Sequence, residues 1–487
     1  MGRKSFSKML LVAAVTIIVP GLTQSSNAKV IPNAYIVQVA DTVDVNEVAG
    51  NVRRFTAGKI SHVYTKAVRG FAIHVPAGIK KADILSHAGV IKVEPDLEVT
   101  LCGQTLPTGI DRIDVDLSGI AKINGIDERV DVDIAIIDTG IDGAHPDLNV
   151  YAEGSCNFTT GAASRWEDGD GHGTHVAGIA AALDNGIGVV GAAPGARLWA
   201  VKVIKLNGPS WLSKALAGVD WVTRNADQIE VANMSLTAEG KSDIFHTAIQ
   251  NSVAAGVVYV VAAGNQSKDV YGDDGIFDTG DDIIPAAYPE VAAVSAMADA
   301  DGQTGGTGGS TSYGPDDSFA SFSNFSRTAV ADNPVSSPGA AIDLAMPGVD
   351  IYSTYKDGGY TTMSGTSMAS PHAAGLAALY IARNGRAVNA NGVYAIRQSL
   401  INSGVSQTDS RGFAVLNDPD GYEENIGYYT QGDFNDDSWV DFEDLAILAY
   451  YWLSNEPSID IAPLGGDGII NFPDFAELAE NWMAGSK

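Results

Sequence analysis

The chain has 487 residues, is 45% hydrophobic and carries 54 glycines, which is material for a large close-packed core and about two to four domains. Asp and Glu number 59 against 30 Lys and Arg, a formal charge of −29. Nucleic acid and anionic membrane surfaces repel such a chain, so neither is expected as a partner; Ca²⁺ sites, which take many carboxylates, are compatible with it.

Residues 1–28 carry a targeting pattern. Arg3, Lys4 and Lys8 precede the apolar run "MLLVAAVTIIVPGL", and the small-x-small stretch Ser26 to Ala28 follows. The run is too short to span a bilayer and reads as a secretory signal peptide, with no membrane span elsewhere. Two cysteines, Cys102 and Cys156, suggest a disulfide in an exported chain; two buried thiols are the alternative.

Residues 29–101 form a small α+β unit. "NAYIVQV", "GFAIHV" and "VIKVEPD" alternate as strands do, and "EVAGNVRRF" and "KKADILSHA" have helical periodicity. No reactive cluster is present there. Residues 102–416 read as a second, larger domain. Near-continuous apolar runs at 131–138, 198–204, 229–236, 256–265 and 290–297 alternate with helical stretches at 175–183, 212–225, 242–255, 367–383 and 391–402. That pattern predicts a doubly wound, mainly parallel α/β sheet covered on both faces. Its working site should lie outside the carboxyl ends of the strands. Gly/Ser/Asp-rich insertions interrupt it at 266–288 and 299–318. Residues 417–431 read as a polar linker. Residues 432–487 contain two similar acidic segments, ending "FEDLAILAYYWL" and "FPDFAELAENWM", and should form a small all-α domain.

The polar residues can be set against that rule. Asp138 ends the strand "VDIAIID"; on its own, an Asp before Thr-Gly is more often a turn residue. His172 sits at a helix entrance between two glycines. His172 and His175 are three apart without an acidic residue between them, which does not match the His-Glu-x-x-His zinc pattern. Ser367 opens a helix, among backbone N–H groups able to stabilise an oxyanion. Pro371 is compatible with that helix only in its first turn. Asn265 closes the strand "VVAAGN" and can supply a second donor. A serine hydroxyl needs a base, and the base needs a carboxylate to fix its tautomer. Asp, His and Ser follow one another here in an order known for that triad.

The stretches "IAIIDTGIDGAHPDL", "GHGTHVAGIAA", "VANMSL", "VVAAGN" and "SGTSMASPHAAG" resemble the subtilisin-like serine proteases, the subtilases, over about 310 residues. The resemblance implies a seven-stranded sheet, with Asp138 as orienter, His172 as base, Ser367 as nucleophile and Asn265 as oxyanion donor. It implies a cleft that holds a peptide substrate as an added strand, bordered by Gly208, Ser235, Leu236, Thr237 and Ala238. Subtilases often carry two glycines where this chain has Thr237 and Ala238, which should narrow one wall. The 29–101 unit resembles the inhibitory propeptide of the family, cut off at about residues 100–103. A cut before Cys102 would let a Cys102–Cys156 disulfide tether the mature N-terminus.

"LDNGIGVVGAAP" resembles the family's calcium loop. Carried over residue by residue, the ligands are Asp147 and Asn185, the carbonyls of Leu183, Ile187 and Val189, and Gln104. The 432–487 repeat resembles a type I dockerin. Asp433, Asn435, Asp437, Asp441 and Asp444 have EF-hand ligand spacing, with Asp in place of Glu at the last position. The second copy is longer and offers Asp460, Asp467, Asn471 and Asp474. The expectation is therefore a secreted, Ca²⁺-dependent serine endopeptidase made as a zymogen. Its tail would bind Ca²⁺ and, if it acts as dockerins do, a cohesin-type module of an extracellular complex. The competing readings are an assembly protein with the protease domain as scaffold, and an exopeptidase.

Overall fold

The computed structural model describes residues 30–97, 103–205, 210–330, 332–407, 416–429 and 442–450, with a few single positions after them. The chain divides into two compact units, Met1–Leu101 and Cys102–Lys487.

The first unit is a four-stranded antiparallel sheet with two helices. In chain order it runs β1 (Val30–Val39), α1 (Val45–Thr56), β2 (Lys59–Tyr64), β3 (Gly70–His74), α2 (Lys81–Leu85) and β4 (Val90–Leu97), with sheet order β2-β3-β1-β4. Asp44 caps α1 by accepting the N–H groups of Asn46 and Glu47. Val37, Val48, Val52, Phe71, Ile73 and Val93 fill its core. Strand β2 lacks an apolar alternation because it is an exposed edge.

In the second unit the elements run α3 (Thr108–Arg112), β5 (Asp133–Asp138), β6 (Cys156–Asn157), α4 (His172–Ala181), β7 (Arg197–Lys202), α5 (Leu212–Arg224), β8 (Val231–Met234), β9 (Ala238–Glu239), α6 (Asp243–Ala254), β10 (Val258–Ala262), β11 (Ile283–Ile284) and β12 (Ala292–Ala298). There follow β13 (Ser310–Thr311), β14 (Gly314–Pro315), β15 (Ser318–Phe319), β16 (Leu344–Pro347), β17 (Ile351–Tyr355), β18 (Gly359–Met363), α7 (Thr366–Asn384), α8 (Ala390–Ser403), β19 (Asn425–Ile426) and α9 (Phe442–Tyr450). The central sheet has order β19-β16-β12-β10-β8-β5-β7-β6, with β15 paired antiparallel to β12 and every other pairing parallel. This is a doubly wound α/β fold. Every residue of β5, β8, β10 and β12 is buried, as strands covered on both faces require.

The sheet has nine strands where seven were expected; six of them are longer, and the other three, β6, β15 and β19, have two residues each and are too short to leave a pattern. The linker reading of 417–431 needs correction, because Asn425–Ile426 joins the edge of the sheet beside β16. The chain passes from β5 to β7 on one side, then returns to β8 on the other, so the strand order reverses at β5. That reversal opens a crevice at the carboxyl end of β5, where Asp138 lies. Helix α7 is buried nearly all round and lies on α4, β8, β10, β12 and β16. Small residues make this possible: a Cβ on Gly375 would come within 2.3 Å of Ala192 Cβ. No helix among the described residues is long and apolar enough to cross a membrane.

Candidate active site

Asp138 ends β5 fully buried. Its Oδ1 accepts from Thr139 N–H at 2.6 Å and lies 2.8 Å from His172 Nδ1. His172 is the first residue of α4. The helix approaches the strand this closely because residue 173 is glycine: a Cβ there would sit 2.2 Å from Gly140 O and 3.1 Å from Asp138 Cβ. Burial disfavours a charge on His172, but Asp138 first, then Asp170 and Asp168, outweigh it and raise its pKa to about 8. His175, one turn on, is different. Its Nε2 meets the carbonyls of Ile351 and Thr361, both at 3.1 Å, and burial lowers its pKa to about 4. It is a packed neutral imidazole, not a partner of His172 in a metal site.

Ser367 is the second residue of α7, after Gly365 at the cap position. Its N–H lies in the first turn, where no intrahelical acceptor exists. Asn265, exposed beyond the end of β10, is held by its oxygen: Oδ1 accepts Thr366 N–H at 2.8 Å and Thr366 Oγ1–H at 2.9 Å. That leaves Asn265 Nδ2 as a free-facing donor. A Cβ built on Gly365 would lie 3.3 Å from Asn265 Nδ2 and 3.7 Å from Ser367 N. Both donors therefore border one small space beside Gly365. The Ser367 hydroxyl donates to the Ser235 carbonyl at 3.3 Å, and no hydrogen bond joins it to His172 in this structure.

Pro371 needs a correction. It lies beyond the first turn of α7, inside the helix. Its missing N–H leaves the Ser367 carbonyl without its helical donor. The Ser235 hydroxyl supplies one at 2.9 Å, and is itself held by Asn233 Nδ2 and Ser370 Oγ, each at 2.9 Å. Ser235 thus touches the Ser367 residue through both its main-chain and side-chain oxygens. Leu236, Thr237 and Ala238 follow, half-buried; Ala238 pairs with Ile284 in the short β9–β11 ribbon. Gly208 lies outside the described residues.

Three residues of this region escaped the motif reading. Asp168 accepts the N–H groups of Asp170, Gly171 and Thr174 and the hydroxyls of Thr139 and Thr174, all between 2.6 and 2.9 Å, and so caps α4. Thr139 Oγ1 in turn accepts Gly173 N–H. Lys202, buried at the end of β7, donates to the carbonyls of Thr139 and Glu167. Together they fix the Asp138–Thr139 turn against α4. The only sequence signal is an Asp four residues before His172 in a Gly-rich approach.

The residues of the expected calcium loop lie close to one another. Gln104 Oε1 accepts Gly186 N–H at 2.7 Å, Asn185 Nδ2 reaches Pro146 O at 3.4 Å, and Asp147 Oδ2 accepts Val189 N–H at 3.0 Å. Leu183 N–H donates to the Asp147 carbonyl and Asn185 Oδ1 accepts from Ile187. Asp147 is fully buried, its Oδ1 has no partner, and burial pushes its carboxyl above the usual carboxylate range. An oxygen-only donor set around a buried carboxylate that keeps one oxygen without a partner, while the other accepts from Val189 N–H and the Tyr360 hydroxyl, fits Ca²⁺.

In the tail, Asp444 is buried on α9 and Asp474 is buried in a helical position. Asp433, Asn435, Asp437, Asp441, Asp460, Asp467 and Asn471 lie outside the described residues, as does Cys102. Cys156 is a buried thiol, and its expected partner Cys102 lies outside the described residues.

The sequence profile of the subtilase family matches residues 130–422. The chain belongs to the subtilase family. M-protease of Shouchella clausii (strain KSM-K16) is 35% identical over 327 residues, covering 67% of this chain and 72% of that protein. Subtilisin DY of Bacillus licheniformis is 38% identical over 280 residues, covering 58% of this chain and 86% of that protein. Among solved structures, a cold adapted subtilisin-like serine proteinase is similar, with 28% identity, a TM-score of 0.46, and coverage of 66% of this chain and 97% of that one. This subtilase is thus a serine-type endopeptidase, a hydrolase acting on peptide bonds of protein or peptide substrates.

Proposed function

We propose that this subtilase is a secreted, Ca²⁺-dependent endopeptidase made as a zymogen, with Ser367 as nucleophile, His172 as base, Asp138 as orienter and Asn265 as oxyanion donor. The observation that carries the assignment is the 2.8 Å contact between Asp138 and His172 Nδ1 at the sheet's reversal point. That contact fixes the tautomer that leaves Nε2 free to take a proton. His172 removes the Ser367 proton as Oγ attacks the scissile carbonyl. The oxyanion settles between Asn265 Nδ2 and Ser367 N–H, in the space beside Gly365. His172 then delivers the proton to the leaving amine, and water attacks the acyl-enzyme by the same route in reverse.

The substrate lies as an added strand along Ser235 to Ala238 and the Gly208 region, with Thr237 and Ala238 narrowing one wall. Residues 1–28 direct export. Residues 29–101 act as propeptide, a reading supported by the boundary between compact units at Leu101 and Cys102. Ca²⁺ is held by Gln104, Asp147, Asn185 and the carbonyls of Leu183, Ile187 and Val189. The 432–487 tail binds Ca²⁺ through its two acidic loops and docks onto a cohesin-type module.

Intact-mass analysis of the secreted protein tests this, wild type beside Ser367→Ala, each with and without Ca²⁺. Loss of the N-terminal unit from the wild type alone, and only in Ca²⁺, is expected. Full-length chain in all four samples would remove the zymogen reading.

A further inference from the structure

The Gly/Ser/Asp-rich insertion at 299–318 carries acids that peptide hydrolysis does not use. Strand β12 ends at Ala298, and β15 returns beside it antiparallel, with Ala298 opposite Ser318. One residue beyond that pair, Asp299 opens the insertion and Asp317 closes it, with Asp316 just before. All three are buried, Asp299 and Asp316 at 3% exposure and Asp317 at 0%. One carboxylate oxygen from each lies within 4.8 Å of the other two.

The loop between them fixes the side chains. Asp299 Oδ1 accepts Gly302 N–H at 2.9 Å, and Asp316 accepts Ala300 N–H at 2.7 Å and Gly308 N–H at 2.6 Å. Asp317 Oδ2 accepts Gly305 N–H at 2.7 Å and Gly306 N–H at 3.0 Å. A Cβ built on Gly308 would lie 2.6 Å from Asp316 Oδ2 and 2.8 Å from Asp301 Oδ2, so a fourth acid, exposed Asp301, stands close by.

These bonds leave one atom out. Asp299 Oδ2 is buried without a hydrogen-bond partner. Arg112 on α3, itself buried, does not reach it. Its Nε donates to Asp317 Oδ1 at 2.6 Å, and its Nη2 is also buried without a partner, so the two orphaned atoms do not meet. Among the described residues, Asp299 and Asp316 form no ion pair. Three carboxylates against one guanidinium leave two negative charges in excess, out of water.

Such an excess persists only when protons or a cation neutralise it. A single proton on Asp299 leaves one charge over, whereas a divalent cation balances the cluster. Oxygens that share a Ca²⁺ ion at about 2.3–2.6 Å lie no more than about 5 Å apart, a limit these three meet. Carboxylates pinned at irregular positions by a loop suit Ca²⁺ rather than Mg²⁺, which demands a near-ideal octahedron.

We propose that Asp299, Asp316 and Asp317 bind a Ca²⁺ ion, with the unpartnered Asp299 Oδ2 among its ligands, and that the ion locks the insertion onto the end of β12. Through Asp317, which Arg112 also holds, it braces α3 against the insertion. The site is separate from the Asp147 loop and from the acidic repeats of the tail, and it does not depend on Ser367 being the nucleophile. Burial first, with Asp317 and Asp316 adding to it, pushes Asp299 up to about 7 when no cation is bound, which agrees with the crowding of charge.

The test is Ca²⁺ stoichiometry on the full chain in a Ser367→Ala background, to avoid self-digestion, with and without Asp299→Asn. Bound Ca²⁺ is counted by native mass spectrometry, and melting is followed in Ca²⁺ and in EDTA. The expected result is one ion fewer per chain in the variant. Its melting temperature should fall below that of the parent in Ca²⁺ but not in EDTA, because the amide removes an unpaired buried charge. An unchanged ion count, or an equal change in melting temperature in both conditions, would overturn the proposal in favour of a proton on Asp299 or a water bridging it to Arg112. Should Asp299→Asn not fold, Asp316→Asn is measured the same way: one ion fewer supports the proposal and an unchanged count overturns it.

Discussion

Ser235 offers the most demanding test of how the proposed nucleophile is placed. Pro371 deprives the Ser367 carbonyl of its helical donor, and the Ser235 hydroxyl replaces it at 2.9 Å. Ser235→Ala leaves a buried acceptor unmade, which costs about 1–3 kcal/mol. If that loss falls on the position of Ser367 in the transition state, kcat drops by about 5- to 150-fold with little change in KM. The assay is steady-state hydrolysis of a chromogenic peptide by the mature enzyme, with melting temperature measured in parallel. A double-mutant cycle isolates the cause. Pro371→Ala restores an N–H at the right place in α7, so Ser235→Ala should cost markedly less in that background. An equal cost in both backgrounds would refute the reasoning, because the Ser235 hydroxyl would then be acting on something other than the carbonyl that proline leaves bare.

Five further outcomes follow from the site and from the expected calcium loop. The pKa of His172 is raised to about 8, with Asp138 the leading favourable cause, so kcat/KM should rise with pH through an apparent value near 8, and Asp138→Asn should move that inflection down. The same shift bears on stability: the gain from His172 is fully present below its unfolded value of 6.5 and is lost as pH rises through about 8, which pH-dependent melting checks. Gly365→Ala should place a methyl where Asn265 Nδ2 and Ser367 N meet, lowering kcat far more than it raises KM. Asn265→Ala should cost about 10²–10³ in kcat, a magnitude known from a subtilisin's own oxyanion donor and not worked from this structure. Asp147→Asn should weaken the stabilisation that Ca²⁺ confers, seen as a smaller gap between melting temperatures in Ca²⁺ and EDTA, while the variant and parent differ little in EDTA.

The parts of the fold legible in the sequence are those where local signals coincide with burial. Buried parallel strands leave unbroken apolar runs, so β5, β7, β8, β10 and β12 stand out, and Asp138 and Asn265 are visible as the polar residues that end two of those runs. His172 and Ser367 are visible because small neighbours surround each at a helix start. What the sequence hides depends on contacts between distant segments. Lys202 acts on the Asp138 turn through the Thr139 carbonyl, a backbone atom that carries no residue code, and Asp168 through the Thr139 hydroxyl across 29 residues of chain. The Ser235 hydroxyl matters only because Pro371 lies inside α7 rather than in its first turn, and helix starts are uncertain by a turn when glycine provides the cap. Strand β19 has only two residues, and Glu424 beside it reads as one more surface acid in a polar stretch until its burial is known.

The central claim is that Ser367 is the residue that attacks the substrate. The most direct measurement is reaction of the mature enzyme with a fluorophosphonate, followed by intact mass and peptide mapping. One label per chain, on Ser367, abolished by His172→Ala and strongly slowed by Asp138→Asn, is the predicted result. A label on another residue, or labelling of Ser367 that persists without His172, would contradict it.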